Sequence, residues 1–424
     1  MDLNDTPELA EYRAKVRAWL VEHKHEAPAH GGDDDAAVAA RRTWQRRLAE
    51  GGLAAVTWPA EYGGGGLGPL QQVVVNQEIC RAGVPGIFDI IGVGMLGPTL
   101  IAHGSEEQKQ RHLGPMLTAD EVWCQLFSEP AAGSDLAGVQ TRAKRLQDGS
   151  WSLSGQKVWT TNAQHAAFGL LLARTDPGVP KHKGLTMFVV PMDAEGVTVR
   201  PLRQISGEAH FNEVFLDDVH LETGSELGPV DGGWGVGLTT LMFERVAIGL
   251  GGEGFGWRAD RFAHALLEDE ACTRDAETRH RLGEVAAEFL ALRFTGYRML
   301  TSLQRGQIPG AEGALAKVTT IRAAIAAGDL ICDVLGPEGL AHERFGELVS
   351  DMPGLKSAGG TEEILRNIVG ERVLGLPPEP RLDKGVAFAE LRAAEREARG
   401  DRLVVAGGAP SGSGDEPSEA VETA

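Results

Sequence analysis

The sequence predicts an α+β protein with a helical N-terminal domain, a middle β-domain and a helical C-terminal domain. Apolar residues recur at three- and four-residue spacing up to about residue 120, alternate with period 2 from about Glu121 to Leu221, and return to helical spacing after about Gly233. Helices and strands therefore occupy separate stretches of the chain, which argues against an alternating βαβ fold. We place the domains at residues 1–120, 121–228 and 229–398, followed by a flexible tail at 399–424.

The N-terminal domain opens with a helix start signal. Thr6 can cap a helix that has Pro7 at its first position, where the missing N–H of proline is not needed. Glycine-rich breaks such as residues 63–66 separate this helix from its successors. The apolar positions that follow the cap at helical spacing are Leu9, Tyr12, Val16, Trp19 and Leu20.

The middle domain has the pattern of short strands joined by turns. Asp148 and Gly149 lie between residues 141–146 and 151–154, and this pair predicts a tight hairpin because glycine adopts the positive φ that such turns need. Short apolar segments predict further strands at 168–174, 185–190 and 213–221.

The C-terminal domain contains two long helical segments. One carries a broad apolar stripe, and the other is the Ala-rich segment from Gly313 to Leu335. Both are too apolar for an isolated surface helix, so we expect them to pack in a bundle or against another subunit. The tail after about Gly400 lacks periodicity, which is typical of disorder. The stripe consists of Leu282, Val285, Ala286, Phe289, Leu292 and Leu300.

Composition and charge narrow the function classes. The 424 residues carry 41 Lys and Arg against 60 Asp and Glu, a formal net charge of −19 at pH 7. Such a field repels polyanions, which argues against a general nucleic-acid or anionic-membrane binder. The four cysteines are widely spaced, and neither a basic-then-apolar leader nor an apolar run of about 18 residues occurs. We therefore expect a reduced, cytoplasmic protein that is not embedded in a membrane.

Two other patterns suggest different chemistry. The glycines from Gly249 to Gly254 fit the G-x-G-x-x-G pattern of nicotinamide dinucleotide folds, but helical segments follow them instead of further βαβ units. We interpret this run as a helix whose glycines let a ligand or a neighbouring helix approach closely. His23, His25 and His30 lie near three aspartates but match no metal-ligand spacing, so we expect a solvated loop and no metal site.

Three short motifs carry the chemistry of the sequence. The first, residues 123–135 (WCQLFSEPAAGSD), ends a strand in a turn where Gly133 and Ser134 can present amides and a hydroxyl to an anionic group. The second, residues 156–162 (QKVWTTN), supplies an indole and two hydroxyls. The third joins residues 335–340 (LGPEGL) to residues 358–366 (AGGTEEILR). Each motif alone is equally typical of strand ends, turns and helix caps.

In order and spacing, the three motifs resemble the acyl-CoA dehydrogenase family over nearly the whole chain up to about Leu376. The resemblance rests on Ser-Glu-Pro-x-Ala-Gly-Ser-Asp, Gly-Gln-Lys-x-Trp-x-Thr-Asn and Gly-Gly-Thr-x-Glu-Ile. It implies an N-terminal α-helical domain, a middle β-barrel or β-sandwich domain and a C-terminal four-helix bundle. It also implies an FAD-dependent oxidoreductase of lipid metabolism that removes two hydrogens from the α and β carbons of an acyl-CoA.

The resemblance also implies the residues that bind the cofactor and the substrate. Trp159 packs on the isoalloxazine with Thr161 near N5, and Ser134 lies between the cofactor and the CoA chain. Gly336 to Gly339, with the third motif, meet the adenosine end of FAD, in part from a neighbouring subunit. The implied cofactor residues are Gln125, Leu126, Phe127, Ser128, Gly133, Ser134, Trp159, Thr160, Thr161, Gly336, Gly339, Thr361 and Glu363. The implied substrate residues are Ser134, Arg245, Gly359 and Gly360.

The reaction needs a carboxylate base, held out of water so that its pKa rises toward the working pH. Most of the family carries this Glu just before the Gly-Thr of the third motif, where this chain has Gly359. Isovaleryl- and long-chain acyl-CoA dehydrogenases instead carry it in a Glu-Arg pair on a C-terminal helix. Residues 241–248 (LMFERVAI) match that place, which implies Glu244 as the base and Arg245 near the CoA end. The Gly359 amide is left to donate to the thioester oxygen.

The sequence departs from the family in one region and leaves several alternatives open. Residues 262–278 lack the Arg-x-Thr-Phe-Gly segment that reaches the FAD pyrophosphate of a neighbouring subunit, so flavin affinity or subunit geometry is expected to differ. The glycines between 249 and 256 suggest a wide pocket for a branched, bulky or ring-bearing acyl group. The alternatives are a flavin monooxygenase or nitroalkane oxidase on the same fold, and a non-catalytic subunit of a heteromer.

The expected partners follow from the same resemblance. They are an acyl-CoA or acyl-carrier thioester as substrate, an electron-transfer flavoprotein as electron acceptor, and further subunits. The subunits are either copies of this chain, in a dimer or tetramer, or a related chain in a heteromer. Neither nucleic acid nor a membrane is expected as a partner.

Overall fold

A computed structural model describes residues 5–32, 34–249, 275–305, 312–341 and 345–398. Helices, then strands, then helices follow one another along the chain, as the sequence predicts. The helices are α1 (Pro7–His23), α2 (Asp35–Glu50), α3 (Pro69–Ala82), α4 (Gly97–His103), α5 (Glu106–Leu117), α6 (Gly233–Gly249), α7 (Ala276–Gln304), α8 (Glu312–Leu335), α9 (Pro337–Ala341), α10 (Gly346–Asp351), α11 (Glu362–Arg372) and α12 (Phe388–Ala398). The strands are β1 (Trp123–Leu126), β2 (Arg142–Arg145), β3 (Trp151–Thr161), β4 (Phe168–Arg174), β5 (Leu185–Pro191), β6 (Val197–Leu202) and β7 (Phe211–Leu221).

The N-terminal helices pack around a core that extends to the edge of the sheet. The Thr6 hydroxyl accepts a hydrogen bond from the Leu9 amide at 3.3 Å, and Pro7 occupies the first turn, which confirms the predicted start of α1. Asp89 then links this domain to β1, because its buried carboxylate accepts from the Gly92 amide at 2.8 Å and the Trp123 amide at 3.0 Å.

The strands of the described chain form one seven-stranded sheet in the order β1-β4-β2-β3-β7-β6, with β5 paired to β4. β1 runs parallel to β4, while β2 and β3 form the antiparallel hairpin predicted at Asp148-Gly149. Gly149 has φ +90°, which is the left-handed conformation that the turn requires of it. The alternation of β3 buries Trp151, Leu153 and Lys157 on one face of the sheet.

The C-terminal helices pack through the predicted stripe. Leu282, Val285 and Phe289 of α7 are buried in the same cluster as Ile321 and Ala324 of α8. α6 connects this domain to the rest of the molecule, since it lies against α4, β5 and α8. Within the described ranges, no helix has the length and apolar character needed to cross a membrane. The predicted tail at 399–424 lies outside the described residues.

Candidate functional site

The second motif forms a bulge that presents an indole to solvent. The pairing of β3 with β7 shifts register between Lys157 and Thr160, and Trp159 within this bulge has φ +60°. The Trp159 residue is 61% exposed although Thr160 beside it is buried, and its ring meets Phe211 edge-on at 5.9 Å. Bulges re-aim side chains, and strained backbone in a rigid strand is often found at ligand sites. The arrangement offers an aromatic face on which a flat ring can pack.

The end of the first motif is held against this bulge. The Val158 amide donates to the Ser128 carbonyl at 2.9 Å, and the Lys157 ammonium donates to the Phe127 carbonyl at 3.0 Å. Leu126 and Phe127 are buried, whereas the side chains of Gln125 and Ser128 are half-buried. Residues 125–128 and Trp159 therefore lie together at one edge, where the end of β1 meets β3, and their role in binding a flavin stays a prediction.

A buried ion pair between Lys157 and Glu129 supports this edge. Lys157 is 0% exposed, and its Nζ also donates to the Leu172 carbonyl and to Glu129 Oε1, both at 2.8 Å. Burial lowers the pKa of Lys157, and the Glu129 charge opposes that shift, while three acceptors match the three protons of the ammonium group. Glu129 accepts in addition from the amides of Gln140 and Thr141, at 2.7 and 2.9 Å. Burial alone would raise the pKa of Glu129. The Lys157 charge and these donors lower that pKa by a larger amount, so it lies below its usual value.

Sequence analysis assigned no role to Lys157 or Glu129, although both lie in quoted motifs. The signal was present, because period 2 places Lys157 on the same inward face as Trp151 and Leu153. A lysine on an inward strand face requires a buried acceptor. The identity of that acceptor depends on the turn after β1, which strand periodicity does not specify.

The first and third motifs meet at Ser134 and Thr361. The Ser134 hydroxyl lies 3.5 Å from the Thr361 hydroxyl, which caps α11 by accepting from the Ile364 amide. Gly133 and Ser134 are exposed, and so is Glu363 in the first turn of α11. The N-terminus of α11 carries a partial positive charge from its free amides, so this junction suits an anionic group. Gly359 and Gly360 precede the cap with φ +65° and +96°.

Gly336 and Gly339 form a separate turn between α8 and α9. Gly336 has φ +58°, and a side chain at Gly339 would come within 2.9 Å of Ile331. Among the described residues, no hydrogen bond joins this turn to Ser134 or Trp159. The role of these glycines at the adenosine end of FAD, completed by a neighbouring subunit, stays a prediction.

Glu244 lies in α6 with a half-buried side chain. α6 packs against α8, on which Lys317 is 4% exposed. Burial lowers the pKa of Lys317 to about 8, and the charge of Glu244 opposes that shift. Sequence analysis did not identify this cation as a neighbour of Glu244. Lys317 precedes the buried Ile321 and Ala324 by four and seven residues, and that helical spacing could have placed it on the buried face of α8.

Several predicted features fall outside the described part of the chain. The side chain of Arg245 is one, and the glycines at 251, 252, 254 and 256 are others. Most of the region that lacks the Arg-x-Thr-Phe-Gly segment belongs to the same range, 250–274. The nicotinamide pattern that begins at Gly249 lies there as well.

The described residues fit a flat, polar-edged cofactor such as a flavin. The Thr160 hydroxyl is buried beside Trp159 and has no hydrogen-bond partner within the described chain, so a donor or acceptor from a ligand would satisfy it. The adjacent exposed indole supplies a packing surface. In contrast, the described residues contain no group of three or more His, Cys, Asp or Glu that could hold a metal ion.

Three family models together match most of the chain. The acyl-CoA dehydrogenase N-terminal domain matches residues 6–120, the middle domain matches residues 124–219, and the C-terminal domain matches residues 231–374. The matched ranges contain the three motifs, apart from Trp123 at the start of the first, as well as Glu244.

Curated relatives carry names from the same family. Acyl-CoA dehydrogenase IpdE1 of Mycolicibacterium smegmatis is 36% identical over 394 residues, which cover 88% of this chain and 99% of that protein. Acyl-CoA dehydrogenase FadE34 of Mycobacterium tuberculosis is 40% identical over 333 residues, which cover 78% of this chain and 46% of that protein. The aligned part of the chain thus spans about half the length of FadE34.

Solved structures share the fold. A structure named Tcur3481-Tcur3483 steroid ACAD has a TM-score of 0.76 at 28% identity, and the match covers 89% of this chain and 100% of that chain. The ChsE4-ChsE5 complex from Mycobacterium tuberculosis has a TM-score of 0.71 at 26% identity, with 89% and 100% covered. Both names describe assemblies of two different chains.

Proposed function

Because this chain belongs to the acyl-CoA dehydrogenase family, we propose that it binds FAD and dehydrogenates an acyl-CoA thioester between its α and β carbons. The observation that carries the proposal is the convergence of the three motifs. Lys157 and Val158 tie the second motif to the end of β1, and Ser134 meets Thr361 of the third. The second motif and the 358–366 part of the third therefore each contact the first, across a sequence separation of up to 227 residues.

The described residues divide the binding of FAD between two regions. The backbone of Gln125 to Phe127 and the Ser128 hydroxyl would line the flavin ring, Trp159 would pack on it, and Thr160 and Thr161 would donate hydrogen bonds to it. Gly336, Gly339, Thr361 and Glu363 meet the adenosine end, in part across a subunit boundary. FAD, when bound, supplies the two-electron acceptor that takes a hydride from the β carbon.

Glu244 accepts the α-proton of the thioester. Its half-buried carboxylate is shielded from water in part, and the nearby Lys317 charge favours the ionised form that a base needs. The Gly359 amide donates to the thioester oxygen, which stabilises the negative charge that develops there. Arg245, Ser134 and Gly360 hold the CoA portion of the substrate.

The acyl group is branched, bulky or ring-bearing. The sequence supports this class, because the glycines at 249, 251, 252, 254 and 256 follow Glu244 and carry no side chain. A related structure at 28% identity is named a steroid ACAD, which supports the same substrate class. A heteromer with a related chain is supported by the two-chain names of that structure and of ChsE4-ChsE5. An electron-transfer flavoprotein serves as the acceptor that reoxidises the enzyme.

Anaerobic titration of the purified protein tests the proposal. We expect a yellow protein whose flavin absorption bleaches on addition of a steroid side-chain acyl-CoA, and much less on addition of butyryl-CoA. Bleaching by butyryl-CoA alone would contradict the bulky acyl group but not the dehydrogenase. A protein that stays colourless after incubation with FAD, alone and co-expressed with a related subunit, would contradict the enzymatic function. Rapid reoxidation of the reduced protein by air would instead indicate an oxidase or monooxygenase.

A further inference from the structure

A cleft of about 590 Å³ lies between the sheet and α12, on residues to which the proposed function assigns no role. One wall is β2 with the end of β4, and the other is the helix α12. Among the described residues that line it, six side chains are cationic and one, Asp231, is a carboxylate. The cations are Arg142, Lys144, Arg145, Arg174, Arg392 and Arg396.

The backbone geometry brings these charges together. Arg142 and Lys144 are two residues apart on β2, so their side chains leave the same face of the strand. Arg142 is paired in register with Arg174 on the neighbouring β4, which sets two cations side by side. Arg392 and Arg396 are one turn apart on α12. Like charges at such positions repel one another unless an anion or solvent lies between them.

Hydrogen bonds and packing hold the N-terminal end of α12 beside the sheet, so the two charged walls face each other across the cleft. The Phe388 amide donates to the Val179 carbonyl and the Ala389 amide to the Pro177 carbonyl, both at 2.9 Å. The guanidinium of Arg174 lies 3.9 Å from the centre of the Phe388 ring, as in a cation–π contact. The helix is therefore joined to the sheet by hydrogen bonds and by packing at its N-terminal end.

Nearby carboxylates neutralise part of this charge. Asp231 accepts from the Thr175 hydroxyl at 2.6 Å, and Arg392 pairs with Glu395 on its own helix. The charges of Glu129, Asp135 and Asp176, which do not line the cleft, also act on Arg174. The remaining lining cations still outnumber these acids on the faces that meet across the cleft.

Two of the guanidinium groups retain hydrogen-bonding capacity. Arg174 is 3% exposed, and its terminal nitrogens donate to the carbonyls of Lys181, Ala137 and Val139. Within the described chain, neither its Nε nor that of Arg392 has a hydrogen-bond partner, although both atoms are buried. Unsatisfied buried donors are costly, so a ligand acceptor or ordered water is expected here.

We propose that this cleft binds the di- or triphosphate group of a small molecule. Arginine forks match phosphate oxygens in pairs, and the cleft has the size of a small-ligand site. The charge of −19 over the whole chain makes this patch a local exception and disfavours long polyanions such as nucleic acid. The phosphate can belong to a nucleotide or to coenzyme A, which share this chemistry.

Calorimetric titration of the full-length protein tests the site with tripolyphosphate, ADP and CoA as probes. We expect saturable binding of tripolyphosphate and ADP that weakens as salt is raised. The variant R142Q/K144Q should weaken that binding by about tenfold or more, because two phosphate contacts are removed. The matched control K15Q/R203Q removes two exposed cations that do not line the cleft and should leave affinity within about twofold.

The results with the three probes distinguish a nucleotide from coenzyme A as the source of the phosphate. Some of these results would contradict the proposed site. Binding of ADP and CoA with equal sensitivity to R142Q/K144Q supports recognition of the diphosphate itself. Binding of CoA alone, unchanged in that variant, assigns the affinity to the thioester site and overturns the proposal. Absence of saturable phosphate binding also overturns it, as does binding of a polyglutamate peptide in place of phosphate. Circular dichroism of both variants checks that the fold is intact.

Discussion

Two buried lysines lie near glutamates in different domains, and their charges are compensated differently. Lys157 in the sheet donates to two carbonyls and to Glu129, which uses all three protons of its ammonium group. Lys317 in α8 lies near Glu244, yet burial lowers its pKa to about 8. Burial lowers the pKa of Lys157 too, but each of its three protons has an acceptor, whereas Lys317 can change charge near neutral pH. That difference is expected between a pair that supports a scaffold and one beside a reacting group.

Replacement of Lys157 should have the largest effect on stability. Lys157→Met leaves Glu129 as a buried charge without its cation, which costs about 3–5 kcal/mol of unfolding free energy. FAD affinity should fall with it, since Lys157 holds the Phe127 carbonyl at the proposed flavin edge. Urea unfolding and FAD titration measure both effects. Lys183→Met removes an exposed lysine and should change neither, so equal losses in both variants would contradict a specific role for the pair.

Replacement of Lys317 should increase the unfolding free energy, whereas replacement of Lys157 should decrease it. Its folded pKa of about 8 lies below the ordinary 10.5, so folding disfavours its charged form and the unfolding free energy rises as pH increases from 8 to 10.5. Lys317→Met should abolish this rise and stabilise the protein at pH 7 by about 3 kcal/mol.

The Lys317→Met substitution should also change the pH dependence of activity. Without the cation near Glu244, the acidic limb of the kcat/KM profile should move to higher pH. A profile that does not move would show that Lys317 has no influence on the base, whatever its effect on stability.

Asp89 extends the comparison to a buried acid whose hydrogen-bond donors are backbone amides. Burial raises its pKa to about 7, although the amides of Gly92 and Trp123 and the charge of Arg42 oppose this. Its contribution to stability is therefore present below pH 3.8 and is lost as pH rises to 7. Between pH 5 and 8, Asp89→Asn should reduce the fall in unfolding free energy by about 2 kcal/mol. Parallel falls in wild type and variant would contradict a raised pKa.

Trp159 should show the smallest effect on stability. Because the residue is 61% exposed, Trp159→Ala should change the unfolding free energy by less than about 0.5 kcal/mol. Alanine and tryptophan share the strain of φ +60°, so backbone effects cancel. FAD affinity should nonetheless decrease, as measured by fluorescence titration. Unchanged affinity would show that the indole does not pack on the cofactor.

Sequence periodicity predicted the order of elements and the helix start at Thr6. It also predicted the hairpin at Gly149 and the apolar stripe of α7, because each depends on local conformation or on one buried face. It did not reveal which charges meet. The partnerships of Lys157 with Glu129 and of Lys317 with Glu244 join residues 28 and 73 positions apart, and only the packing of separate elements decides them. The contact between Ser134 and Thr361 joins motifs that the family resemblance had already linked.

The rate of flavin reduction in Glu244→Gln tests the central claim most directly, because glutamine keeps the shape of the side chain and removes the base. With a bulky acyl-CoA under anaerobic conditions, we expect normal FAD binding and a reduction rate lowered by about 10²–10⁴-fold. Glu284→Gln, which alters an exposed glutamate on α7, should retain the wild-type rate. Rapid flavin reduction by substrate in Glu244→Gln would contradict the assignment of the base.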